Sequence, residues 1–218
     1  PASGSAWGST SDFTVSPATS IFAGQTAWQH QNVGGANSRS RSQAIGTFSG
    51  QAETASVIVE NVDATWTDLS IRDNTAGAHV CWGRLAWATG QASVQSGTGT
   101  VIAQKLANAG PNGGPVYRLM VTGTGTAGNQ RSIVIYATGI PTNTQTVIIH
   151  HVQHEAGVVA TSPIVTTTAA VTRAADVLTF PWPHAPQAMT GYLRFVERGA
   201  IAYSDTRALL QIGTGTTQ

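Results

Sequence analysis

Residues Thr144 to Leu178, TQTVIIHHVQHEAGVVATSPIVTTTAAVTRAADVL, decide how this chain is organised. Val147, Ile148 and Ile149 are β-branched and apolar, the run turns polar at His150 and His151, and Gly157 interrupts it after Glu155. Such residues fit a pleated, half-buried surface, so the first half predicts a strand over Thr144 to Glu155. From Thr161 to Thr172 the chain is mostly Thr, Ala and Val around Pro163, with neither alternation nor a helical stripe, which predicts an extended connector. The stretch reads as the last strand of one domain followed by its exit segment.

Outward from it, the same strand-and-turn grammar covers the preceding residues. Ala55 to Val62 alternates Ser56, Ile58 and Glu60 with Val57, Val59 and Asn61. Thr67 to Asp73 places Leu69 and Ile71 inward and closes on the turn Asp73 to Gly77. His79 to Trp87 puts Cys81, Gly83, Leu85 and Trp87 on one face and Val80, Trp82 and Arg84 on the other. Ala92 to Ser96, Val116 to Thr122 and Arg131 to Ala137 are further strands, Val101 to Ala107 fits a strand or a helical turn, and Ala109 to Pro115 is a loop. Near the start, a short strand is expected at Phe13 to Val15. Ala27 to Val33 and Ser38 to Phe48 form a plausible hairpin across Gly34 and Gly35. Its second strand is poor in apolar residues and belongs at an edge or under a partner. Short, evenly spaced strands of this kind predict two antiparallel sheets packed as a sandwich. Gly-Thr-Gly-Thr recurs at 97–100, 123–126 and 213–216, which reads as shared turn chemistry.

Composition agrees. Charged residues are only 10% of the 218, so solubility rests on hydroxyls, amides and 24 glycines, a surface that suits strands and turns better than helices. The net charge of +1, from eleven Lys plus Arg against ten acids, supplies no basic face for nucleic acid. Cys81 has no partner cysteine and is expected to be a small buried hydrophobe. No apolar run approaches the roughly 18 residues that span a bilayer, so no membrane insertion is expected. The chain opens at Pro1 without a signal-like segment, as a processed product or a piece of something longer.

Several residues invite a chemical reading. His150, His151 and His154 beside Glu155 suggest a metal site, but on a regular strand His150 and His154 share a face about 13 Å apart while His151 points away with Glu155, so no pair can chelate and no metal is expected. The acids Asp12, Glu53, Glu60, Asp63, Asp68, Asp73 and Glu155 are too dispersed to single out a glycosidase pair, and Asp73-Asn74 reads as a turn start rather than a calcium ligand. There is no nucleophile elbow, phosphate loop or cysteine in a catalytic context, so neither catalytic residues nor a cofactor are expected. Among Trp28, Trp66, Trp82 and Trp87, sugar stacking best fits Trp66, in a polar stretch, and Trp82, opposite the Leu85 face. Core packing is the commoner fate of tryptophan in a sandwich.

The opening stretch also carries a resemblance. Gln153-His154-Glu155-Ala156-Gly157, Ala160-Thr161-Ser162-Pro163-Ile164-Val165-Thr166 and Val171-Thr172-Arg173-Ala174-Ala175-Asp176 resemble a signature written Q-x-E-x-G, A-T-S-x-I-x-T, x-T-R-x-A-D. It is that of tailed-bacteriophage virion proteins in which a carbohydrate-binding-module-like jelly roll precedes a concanavalin-A-like lectin domain. Ser70 to Asp73, Trp87 to Gly90 and Val116 to Leu119 are similar to strands of the first domain, with Val116 where a Trp is usual. Leu178 to Phe180 and Met189 to Val196 are similar to the first strands of the second.

The resemblance implies an all-β chain: a jelly-roll-like antiparallel β-sandwich over 1–157, an extended connector over 158–176, and a short C-terminal β segment over 177–218 that packs on a neighbour or belongs to a longer chain. It implies a non-catalytic structural component on the exterior of a phage particle, in a tail, fibre or capsid surface. The partners would be other virion proteins and copies of the same chain. A module that recognises host-surface glycan and a part of a glycan depolymerase are the two alternatives.

Overall fold

Twelve β-strands make up the fold in a computed structural model that describes residues 7–9, 13–33, 40–136 and 144–164. They are β1 (Gly8–Ser9), β2 (Phe13–Thr19), β3 (Thr26–Asn32), β4 (Arg41–Thr47), β5 (Ala52–Asn61) and β6 (Trp66–Asp73). The remainder are β7 (Ala78–Ala86), β8 (Gln91–Gly97), β9 (Thr100–Ala107), β10 (Val116–Thr124), β11 (Gln130–Tyr136) and β12 (Thr146–Ala156). No helix occurs among the described residues. Contacts divide the chain into two units, Pro1–Arg173 and Ala174–Gln218. The second unit lies outside the described residues, as do the Val171 to Asp176 motif, the C-terminal β segment over 177–218, the third Gly-Thr-Gly-Thr, Asp12 and the Gly34-Gly35 turn.

Two antiparallel six-stranded sheets form a sandwich, one ordered β1-β4-β11-β6-β7-β8 (sheet A) and the other β2-β3-β12-β5-β10-β9 (sheet B). The pairing is nested. β6 pairs with β7, β5 with β10, β4 with β11 and β3 with β12, as in one long antiparallel ribbon. The ribbon is rolled so that β12 also pairs with β5 and β11 with β6, which is the jelly-roll arrangement. The connection at Thr98 and Gly99 carries β8, at the edge of sheet A, into β9, at the edge of sheet B.

The apolar alternation explains the faces. Val57 and Val59 of β5, Leu69 and Ile71 of β6, Leu85 of β7, Leu119 of β10 and Ile149 of β12 meet between the sheets, and Cys81 lies fully buried among them. Val101 to Ala107 forms a strand, β9, resolving the strand-or-turn ambiguity. The Ala27 to Val33 and Ser38 to Phe48 hairpin does not form. β3 pairs with β2 and β12, β4 with β1 and β11, and the two lie in different sheets, because rolling the ribbon sends β3 and β4 to opposite sheets, each beside a late strand. β4 lies one strand in from an edge, flanked outside only by the two-residue β1, and its Arg41 is buried.

Candidate functional site

Pairing about the Asp73 to Gly77 turn sets Trp66 opposite Ala86, Asp68 opposite Arg84 and Ser70 opposite Trp82. Leu69 and Ile71 point into the core, so these alternate positions face outward on sheet A. Here the structure brings together both tryptophans singled out for sugar stacking. Arg84 donates from Nε to Asp68 Oδ1 and from a terminal nitrogen to Asp68 Oδ2, each at 2.8 Å, and Trp82 Nε1 adds a third donor to Oδ2 at 3.1 Å. Burial pushes the Asp68 carboxyl above its usual range while these donors pull it back, and Asp68 in turn raises Arg84. With a two-pronged contact of this geometry, both members stay charged at neutral pH.

The Arg84 guanidinium lies 4.4 Å from the centroid of the Trp66 ring, a cation–π contact that occupies one indole face. Trp82 stacks on Tyr136 at 5.1 Å and 21° and tilts against His79 at 4.7 Å, with His79 and Tyr136 6.4 Å apart. A triangle of those sides does not put Tyr136 and His79 on opposite faces of Trp82. His79 Nδ1 shares a 2.6 Å hydrogen bond with the Ser70 hydroxyl, and burial, with Arg72 nearby, holds its imidazole below the ordinary range. The other two tryptophans lie outside this cluster. Trp28, half-buried, borders a small partly open pocket with His30 and Arg41, and Trp87 packs edge-on against Tyr117 and donates to Thr67 at 3.0 Å.

The histidine run is arranged differently from a regular strand. A β-bulge between Ile149 and His151 inserts one residue, so His150 reaches Glu60 on the outer face of sheet B while His154 turns inward to Glu53. His150 and His154 therefore do not share a face. His151 and Glu155 do, as the alternation implied. Glu60, fully buried, accepts from the backbone of Asn112 and Gly114, the Asn112 amide and His150 Nε2, two bonds to each oxygen. His150 Nδ1 accepts from the Ile21 amide at 3.3 Å, so the proton sits on Nε2 and the ring is neutral. Glu53 is likewise buried, bonded to His154 at 3.0 Å and to Arg131 from the opposite sheet.

Each of the described candidate acids has structural work. Besides Glu53, Glu60 and Asp68, Asp63 accepts from the Thr146 amide, Asp73 holds its turn through the Ala76 amide and the Asn129 side chain, and Glu155 accepts from Thr161. No group of three or more His, Cys, Asp or Glu able to hold a metal occurs among the described residues.

The signature residues converge on a clasp. Gln153 Oε1 accepts from the Ile164 amide at 2.8 Å and faces His151 Nε2 at 3.1 Å, and Gln153 Nε2 donates to the Thr161 hydroxyl at 3.3 Å. Glu155 accepts from the Thr161 amide at 3.0 Å and also from the Thr161 hydroxyl. The Thr54 hydroxyl donates to Gly157 O at 2.8 Å. The first two blocks of the motif thus fold the exit segment back onto the end of β12. Sequence reasoning missed the Asp68–Arg84 pair, and counting outward from the Asp73 turn would not have found it, because a β-bulge between Ile71 and Arg72 shifts the β6–β7 register by one residue. Tyr136 arrives from β11, and nothing local announces it.

No protein-family model matches the chain, and no curated protein matches it.

Proposed function

We propose that this chain is a non-catalytic structural component of a bacteriophage particle, exposed on a tail, fibre or capsid surface and assembling as a homo-oligomer with other virion proteins. The observation that carries the reading is the clasp. Gln153, Glu155, Thr161 and Ile164, which carry the resemblance to virion proteins, are joined by hydrogen bonds, Gly157 of the same motif is tied to Thr54 and Ala52 of β5, and together these contacts fix how the chain leaves the jelly roll. A motif whose side chains are spent on a junction serves architecture rather than chemistry. Low charge and a hydroxyl-rich surface suit dense packing against other subunits. Imaging of the assembled particle tests the proposal: density for this jelly roll at a symmetric exterior position supports it, and particles that lack the chain refute it. Sedimentation of the purified protein as a stable folded monomer counts against the oligomer.

A second reading, a module that recognises host-surface glycan, is favoured by one observation, that Trp66 and Trp82 share the outer face of sheet A with the fixed Asp68–Arg84 pair. Indole faces match the apolar face of a pyranose, and fixed polar groups beside them orient its hydroxyls. Silence on a glycan array, with tryptophan fluorescence unchanged by every sugar tried, removes this reading.

A further inference from the structure

The recurrent Gly-Thr-Gly-Thr segments acquire a role at the end of the sandwich. Copies at 97–100 and 123–126 stand side by side and, with the start of β7, wall a cleft of about 210 Å³. Thr98, Thr124 and Thr126 line it with His79, Asp73 and Ala78. The glycines are where backbones must abut. A Cβ on Gly97, whose φ is +82°, would lie 2.3 Å from Val80 O, and one on Gly99 would lie 2.1 Å from Thr122 O. The alternate threonines are left on the open side, exposed.

The walls are fixed before any ligand arrives. Asp73 takes the Ala76 amide and the Asn129 side chain, Thr75 Oγ1 accepts from the Gln130 amide, and the Ser132 hydroxyl donates to Asn74, so the β6–β7 and β10–β11 turns are stitched together. Thr98 N bonds Val80 O at 3.0 Å and holds the third wall. Preorganisation of this kind reduces the ordering cost of binding.

We propose that this cleft is a binding site for one neutral sugar unit of a glycan. The proposal rests on the glycan reading above and moves the specific contact from the Trp66 and Trp82 face to the turn end. Three hydroxyls and an imidazole offer donors and acceptors without net charge, the Asp73 carboxylate is already spent on its turn, and no Lys or Arg is among the lining residues to hold an anion. Ala78 and its neighbours supply the apolar patch that the C–H face of a pyranose needs. The volume lies below the roughly 300–1,000 Å³ of sites for drug-sized ligands, which fits a single ring. His79 also touches Trp82, so a sugar here would lie beside the aromatic cluster rather than on it.

Saturation-transfer NMR of the intact chain with glucose, galactose, mannose and rhamnose tests this, comparing wild type with Ala78→Trp, Thr126→Ala and Trp66→Ala. The expected result is transfer from at least one sugar, abolished by Ala78→Trp, weakened about fivefold by loss of the Thr126 hydroxyl, and unchanged by Trp66→Ala. Transfer lost in Trp66→Ala but kept in both cleft variants overturns the cleft while leaving the glycan reading standing. No transfer from any sugar to folded wild type ends both. Thr126 is an exposed turn residue, so its variant reports even where the Trp side chain impairs folding.

Discussion

Acid should unfold this protein through His30, and the size of the effect follows from where that ring sits. His30 projects from β3 between the sheets, 3% exposed, close to the buried Arg41. Burial first, and Arg41 second, lower its pKa from 6.5 to about 3. Above pH 6.5 neither the folded nor the unfolded chain carries this proton. Between 6.5 and about 3 only the unfolded chain does, so native stability falls as pH falls across that window. At about pH 4.5 the deficit spans roughly two pH units, and at roughly 1.4 kcal/mol per unit this amounts to about 3 kcal/mol, a large share of the roughly 5–15 kcal/mol that holds a domain together. His79, His150, His151 and His154 are shifted in the same direction and add to the acid slope. The His30→Gln variant isolates the one contribution. Urea unfolding of both proteins at about pH 7.5 and about pH 4.5 should show the variant losing about 3 kcal/mol less than wild type on acidification. Equal losses in the two proteins would refute the assignment of a buried, neutral His30.

Three further outcomes are expected. Arg84→Ala strips the buried Asp68 of its charge partner and should destabilise the domain by about 3 kcal/mol in urea melts, whereas the pair Asp68→Asn with Arg84→Met should recover most of it. Glu60→Ala removes the acceptor that ties Asn112, Gly114 and His150 together; hydrogen exchange should speed up at residues 110–114 by at least tenfold, with little change in β7. Leu69→Ala opens the centre of the inter-sheet core and should cost about 2–5 kcal/mol by thermal or denaturant unfolding.

What could be read from the sequence was what depends on near neighbours. The alternation of β5, β6 and β7 and the Asp73 turn announced strands and their inward faces, because period-two patterning and turn chemistry act over a few residues. By the same logic Trp66 and Trp82 were legible as outward positions. The partners were not. The failed hairpin between β3 and β4 shows why: Gly-Gly between two strand-like runs is a local signal, while the choice between a hairpin and a crossing to the other sheet is made by β11 and β12, about a hundred residues later. The bulge at His150 was hidden for a related reason. A bulge leaves little trace in a β-branched run, yet it sends His150 to Glu60 and reverses its relation to His154.

The nested strand pairing governs how the chain can be made. β12 fills the place between β3 and β5 in sheet B, and β11 fills the place between β4 and β6 in sheet A. While the ribosome has released only the residues before Gln130, both sheets contain a vacant slot bordered by two unpaired strand edges, and no amount of waiting closes it. The nascent chain must stay unjoined, or shielded by chaperones, until its last third emerges. The same slot is complementary to the matching strand of a second copy, which competes with the tethered strand where copies are concentrated. Crowded synthesis of many identical chains therefore risks strand exchange between them, and that hazard ends only when Thr146 to Ala156 is seated.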